Sequence, residues 1–127
     1  MHDKLRRERL SRLRQRLREL LQQLDKTVQV AFADTALVKG SVYQISRRCG
    51  TPHCRCTRGQ LHRNMVLTWS EQGQHRMRSL PPERVAAIRQ KSQEYARFRR
   101  ARAEIARILD QMLTLLDEIQ ELRREAP

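Results

Sequence analysis

Aromatic residues are nearly missing from this chain: one Trp, two Tyr and two Phe among 127 residues. So few rings exclude a large globular core and argue against a base-stacking platform for single strands. Acidic residues are absent from Gly40 to Ser70, so no local carboxylate is available there as the general base of a metal-activated water. No apolar run approaches the roughly 20 residues of a spanning helix, and the first eighteen residues are charged throughout. Neither a membrane segment nor a secretory leader is expected, and a reducing cytoplasm is the compartment implied. The three cysteines are odd in number, which leaves a thiol over in any full disulfide pairing.

What is abundant is arginine. The formal net charge is +13, with twenty-three arginines against four lysines, and such a balance implies a polyanionic partner: DNA, RNA or an acidic membrane face. The charge is unevenly placed. Residues 1–38 carry nine basic against five acidic side chains, residues 39–107 sixteen against four, and residues 108–127 two against five. The middle is therefore the face for an anionic partner.

Periodicity divides the chain into three regions. Leu10, Leu13, Leu17, Leu20, Leu24, Val28 and Ala31 recur at three- and four-residue steps, the seam of a helix packed along another helix. A helix from about Asp3 to Phe32 is expected, and the region 1–38 is read as the first helix of a bundle. Across 39–80 the period changes to two. Val42–Ser46, Met65–Ser70 and His75–Ser79 read as three short strands, with a hairpin turn at Glu71–Gln74. Pro81-Pro82-Glu83 then opens a second helix over 81–127, since proline suits a first turn and no proline or glycine follows before Pro127. Its apolar stripe includes Ile105, Leu109, Met112, Leu116 and Ile119 and widens to Ile108, Leu113, Leu115 and Leu122. One partner helix cannot cover so wide a face, so a homo-oligomer, taken as a dimer, is expected through Ile105, Leu109, Met112, Leu116 and Ile119. Trp69 and Phe98 are expected in the core.

All three cysteines fall within Cys49-Gly50-Thr51-Pro52-His53-Cys54-Arg55-Cys56. With His62 they form C-x4-C-x-C-x5-H, the donor set of a closed Cys3His zinc site on a loop turned by Gly50 and Pro52. The predicted ligands are Cys49, Cys54, Cys56 and His62, with His53 in the loop and His75 on the third strand as alternatives for the fourth. A structural Zn2+ would staple a sheet too small to support itself. A Cys–His nucleophile at Cys49 or Cys54 with His53 has no recognisable oxyanion hole or pocket beside it, so no enzyme is expected.

Around this loop stand Arg47, Arg48, Arg55, Arg58, Arg63, Arg76 and Arg78, with Arg99 and Arg100 further along the second helix. Guanidinium groups bind phosphate with two parallel hydrogen bonds, and so dense a set with few local acids repels itself unless an anion is present. These nine are the candidate nucleic-acid contacts.

Lys39-Gly40-Ser41-Val42-Tyr43, then Cys49-Gly50-x-Pro52-x-Cys54-Arg55-Cys56, Gly59 and His62, resembles a family of small bacterial and archaeal proteins without an established activity. That family has a KGS-x-Y strand and a CG-x-P-x-CRC-x2-G-x2-H loop, and is often met near transposases and other mobile-element genes. The resemblance covers about residues 38–105. Arg63-Asn64-Met65 replaces the family's usual Gly-Pro-aromatic step after the histidine. It implies a bacterial or archaeal cytoplasm, with association to the nucleoid, and a mobile-element context.

The fold expected is α+β: two long antiparallel helices of a coiled-coil or bundle with a small zinc-stapled three-stranded sheet between them. The function expected is a non-catalytic, nucleic-acid-binding accessory or regulatory protein, DNA being favoured. Two rivals stand beside it: an RNA-binding component of a ribonucleoprotein, and a helical adaptor that docks a transposase or polymerase.

Overall fold

The structure, a computed structural model, describes residues 2–127. It is α+β, with helices α1 (His2–Val28) and α2 (Pro82–Arg123) and strands β1 (Ser41–Arg47), β2 (His62–Glu71) and β3 (Gln74–Leu80). The chain forms two compact units, one of residues 1–34 with 98–127 and one of residues 35–97. The division falls inside α2.

In the helical unit the leucine seam of α1 is the buried face. Leu10, Leu13 and Leu20 are buried, and Leu17, Leu24 and Val28 half-buried. Full burial of a leucine such as Leu20, at 0% exposure, stabilises by about 2–3 kcal/mol. The helix is shorter than its spacing suggests. From Gln29 to Phe32 it tightens into a 3-10 turn that ends at Ala33 in extended conformation. Ala31 and Phe32 are exposed, so no packing holds that last turn in the α geometry.

The distal part of α2 lies against α1 with the opposite chain direction. Arg9 donates to Glu118 at 2.7 Å, while Arg16 and Leu20 share a groove with Asp110, Gln111 and Leu115. Ile108 is buried, and Ile105, Met112, Leu115, Ile119 and Leu122 are half-buried. Leu109, Leu113 and Leu116 are exposed, at 45%, 60% and 47%. Phe98, expected in the core, is exposed too; it falls on the same side of α2 as Leu109 and Leu116, beyond the reach of the seam.

The other unit is built on a three-stranded antiparallel sheet in the order β1-β2-β3. Ser41 pairs with Thr68 and Arg47 with His62; Glu71 pairs with Gln74 and Met65 with Leu80. The β2–β3 hairpin turns at Gln72 and Gly73, both with positive φ (+50° and +77°), the two-residue geometry whose twist matches the strands. Val66, Leu67 and Thr68 are consecutive and all buried, so the middle of β2 is covered on both faces. This is why β2 extends further than its alternating core suggests: as the central strand it has a ladder on each side.

The first turns of α2 are fastened to the start of β1. The Val38 amide donates to the Lys91 carbonyl at 3.1 Å, and Ser92 Oγ donates to the Gly40 carbonyl at 2.5 Å. Gly40 has φ +140°, and a Cβ there would stand 2.6 Å from the Thr68 carbonyl oxygen and 2.9 Å from Leu67. Only glycine fits that junction. Gly40→Ala is therefore expected to cost about 2 kcal/mol or more, read as a fall in thermal midpoint, whereas Gly73→Ala meets no neighbouring atom and should cost less.

Candidate metal centre

The loop between β1 and β2 is closed at its neck by the sheet register. Because Arg47 pairs with His62, the imidazole starts β2 directly opposite the end of β1, and Cys49 follows two residues after Arg47. The remaining two thiols are delivered by turn chemistry. Gly50 takes φ +82°, and Pro52 leads a turn in which the Cys54 amide donates to the Thr51 carbonyl at 3.2 Å. A 3-10 turn, Arg55–Arg58, then carries Cys56 inward and ends at Gly59 with φ +99°. Thr57 Oγ1 donates to the Cys54 carbonyl at 2.7 Å and braces that turn.

The result is a four-membered cluster. One donor atom each from Cys49, Cys54, Cys56 and His62 lies within 4.8 Å of every other. Cys49 Sγ is 3.6 Å from Cys56 Sγ, and Cys54 Sγ is 3.1 Å from His62 Nε2. Two thiolates at about 2.3 Å from one tetrahedral ion stand roughly 3.8 Å apart, so the sulfur spacing fits a shared zinc. The cluster grades outward, with Cys56 fully buried, Cys54 half-buried, and Cys49 and His62 exposed. Neither His53 nor His75 belongs to it, which leaves His62 as the fourth donor.

Hydrogen bonds favour the thiolate at Cys49. The Thr51 hydroxyl, then its backbone, then the thiols of Cys54 and Cys56 bring Cys49 down to about 6 from the ordinary thiol value. The Cys49 amide donates to Cys56 Sγ at 3.4 Å, the kind of N–H···S bond that favours a charged sulfur. That bond lowers Cys56, but burial and the neighbouring thiols of Cys49 and Cys54 together push it up. Without a cation, three sulfurs so close cannot all ionise comfortably; a dication removes that conflict.

The predicted arginines fall into distinct places. Arg47 and Arg48 line a hollow with Cys49, His62 and Asn64. Arg55 and Arg58 flank Cys56 on its 3-10 turn. On the sheet, Arg76 and Arg78 sit opposite Trp69 and Leu67, and Arg63 shares their face by the two-residue alternation. All seven are exposed. Arg76 reaches Glu71 at 4.0 Å, whereas Arg47, Arg48, Arg55, Arg58, Arg63 and Arg78 have no carboxylate within that distance among the described residues. Arg99 and Arg100 are also exposed but belong to the helical unit. Two contributors escape a reading by ligand spacing. Thr51 is the main brace of Cys49, and Asn64 contributes its amide beside Arg47. The Gly50-Thr51-Pro52 turn was the available signal for the first; nothing in the sequence marks the second.

Purified protein is expected to bind one thiophilic divalent ion per chain. Cys56→Ser should abolish that binding, because Cys56 is the buried donor, while His53→Ala should leave it unchanged. Metal analysis with a competitive chelator titration checks both, and loss of metal should lower the thermal midpoint.

A family model described as a domain of unknown function (DUF6788) matches residues 8–90. No curated protein and no solved structure matches the chain. The family match takes in most of α1, the complete sheet, the whole cysteine loop and the first turns of α2. With well over half of its residues matched, the protein belongs to the DUF6788 domain family.

Proposed function

We propose that this protein is a non-catalytic nucleic-acid-binding factor whose residues 35–97 form the binding unit, held together by one structural Zn2+. The observation that carries the reading is the set of unpaired arginines around the Cys3His cluster. Within residues 35–97 only Arg76 and Arg97 meet a glutamate, and neither belongs to the cysteine loop. Residues 35–97 hold twelve basic against three acidic side chains, a balance of +9. Exposed guanidiniums held close together without acids are suited to phosphates spaced along a backbone.

DNA is the favoured target, with Arg47, Arg48, Arg55, Arg58, Arg63, Arg76 and Arg78 on its phosphates and Arg99 and Arg100 adding contacts from α2. An accessory role to a mobile element is the context suggested by the KGS-x-Y strand and the CG-x-P-x-CRC loop. Zinc fits because three thiolates and one imidazole suit a borderline-soft, tetrahedral ion, and a fully occupied donor set leaves no open position for substrate. Among the described residues no helix is long and apolar enough to cross a membrane.

Electrophoretic or anisotropy titration of duplex DNA and of structured RNA tests this reading. Affinity should fall steeply with salt, and replacing Arg55 and Arg58 together by alanine should weaken binding at least tenfold and flatten the salt slope while metal content stays at one per chain. Tighter binding to RNA at equal salt would move the assignment to RNA. No binding to either, with a protein partner retained, would favour the helical adaptor.

The same proposal includes self-association of the helical unit. Leu109, Leu113 and Leu116 form one exposed row beside the half-buried Ile105, Met112 and Ile119, and a second copy offers the same row for a two-fold contact. Light scattering at micromolar concentration should give a dimer mass, and Leu116→Glu should shift it to monomer, because a charge would be left unpaired in the seam.

A further inference from the structure

At the end of the sheet away from the cysteine loop, residues 35–97 enclose a second feature. A cleft of about 370 Å³ lies between the start of β1, the end of β2 and α2, within the size range of small-ligand sites. Its walls combine two of the few aromatic side chains in the chain, Trp69 and Tyr95, with Lys39, His75 and the hydroxyls of Ser41 and Thr68. Trp69 and Tyr95 are only half-buried, so both retain exposed ring surface. Lys39 has no carboxylate within 4.0 Å among the described residues. Two of the three acids of this unit are already engaged: Glu71 accepts from Trp69 Nε1 at 3.4 Å and meets Arg76, and Glu94 meets Thr35 and Arg97.

The walls are fixed rather than collapsible. Gly40 brings β1 within contact of the Thr68 carbonyl, Ser92 ties Gly40 to α2, and the Val38–Lys91 hydrogen bond adds a second tie at the adjacent residue of α2. Behind Trp69, the Arg78 guanidinium stands 5.9 Å from the ring centroid. That contact steadies the ring by cation–π attraction and adds positive charge beside the cleft.

We infer that this cleft holds one nucleotide, its base against Trp69 and Tyr95 and its phosphate at Lys39, Ser41 and His75. An aromatic wall alone would suit any apolar ligand, and a lysine with hydroxyls alone any small anion. Their combination in one fixed cleft selects a planar ring that carries a phosphate. The nucleotide can be free or part of a strand; the second source rests on the nucleic-acid reading above, whereas the first does not.

Trp69 is the sole tryptophan, so its fluorescence reports the cleft directly. The probes are adenosine monophosphate, inorganic phosphate, a short single-stranded oligonucleotide and a duplex, with the zinc-loaded full chain. Adenosine monophosphate or the single strand should quench Trp69 saturably. Lys39→Ala and Tyr95→Leu should each weaken the response about tenfold, and Tyr95→Phe should restore it by keeping the ring. Quenching by the mononucleotide identifies a free ligand; quenching by the strand alone identifies a base within a chain. No quenching by either, or equal quenching in Lys39→Ala and Tyr95→Leu, overturns the inference, as does inorganic phosphate competing as well as the nucleotide. Duplex anisotropy separates this failure from that of the broader reading. Duplex binding that persists while Trp69 stays silent removes the cleft but keeps the arginine surface; mononucleotide binding without duplex or strand binding does the reverse.

Discussion

Bringing three sulfurs and an imidazole nitrogen within 4.8 Å of one another is the constraint on which residues 35–97 depend. As thiolates the sulfurs repel each other, and as thiols they would have little reason to gather at a solvent-facing loop. A dication held by all four donors would remove this conflict, and with three thiolates around it the centre would carry one net negative charge. The exposed guanidiniums of Arg47, Arg48, Arg55 and Arg58 stand on and beside the same loop, where such a charge would offset part of their mutual repulsion.

Glutamate reaches only some of the arginines in either unit. On the helices, arginine satisfies glutamate, as Arg9 does with Glu118 across α1 and α2 and Arg16 does with Glu19 along α1. These pairs are exposed, so each contributes little stability on its own. The apolar seam is therefore the main source of cohesion in the helical unit. In residues 35–97 twelve basic side chains face three acidic ones, and only Arg76 and Arg97 meet a glutamate. The excess charge of the chain is thereby concentrated in residues 35–97, and a polyanion approaching the protein experiences that unit most strongly.

Much of this arrangement was legible in the residues themselves. The three- and four-residue leucine steps located α1, alternation located the strands, and proline and glycine marked where elements begin and turn. The close spacing of Cys49, Cys54 and Cys56 pointed to the three thiols that the structure gathers, and of the three candidate histidines His62 is the one that joins their cluster. Spacing failed where tertiary context decides. Phe98 fits the heptad of α2 yet lies beyond the seam. Residues 29–32 fit the periodicity of α1 yet relax into a 3-10 turn because nothing covers Phe32. The cleft at Trp69 was invisible for a related reason. Its walls come from three strands and a helix, and the only local sign of it was Lys39-Gly40-Ser41, a motif whose glycine proves to be required by a close backbone approach.

That glycine junction also explains why β2 can support contacts at both ends. His62 opens the strand inside the metal cluster, and Trp69 lies near its other end in the cleft, seven residues later. At about 3.3 Å per residue these positions are separated by roughly 23 Å along one strand. Adjacent phosphates in a B-form strand advance about 3.4 Å along the axis, so a ligand reaching from one site to the other spans about seven nucleotides. Between them β2 is buried on both faces at Val66, Leu67 and Thr68, which leaves its middle little freedom to bend. A stiff central strand, with the four donors at one end and the Gly40–Ser92 tie at the other, holds the cluster and the cleft at a fixed separation.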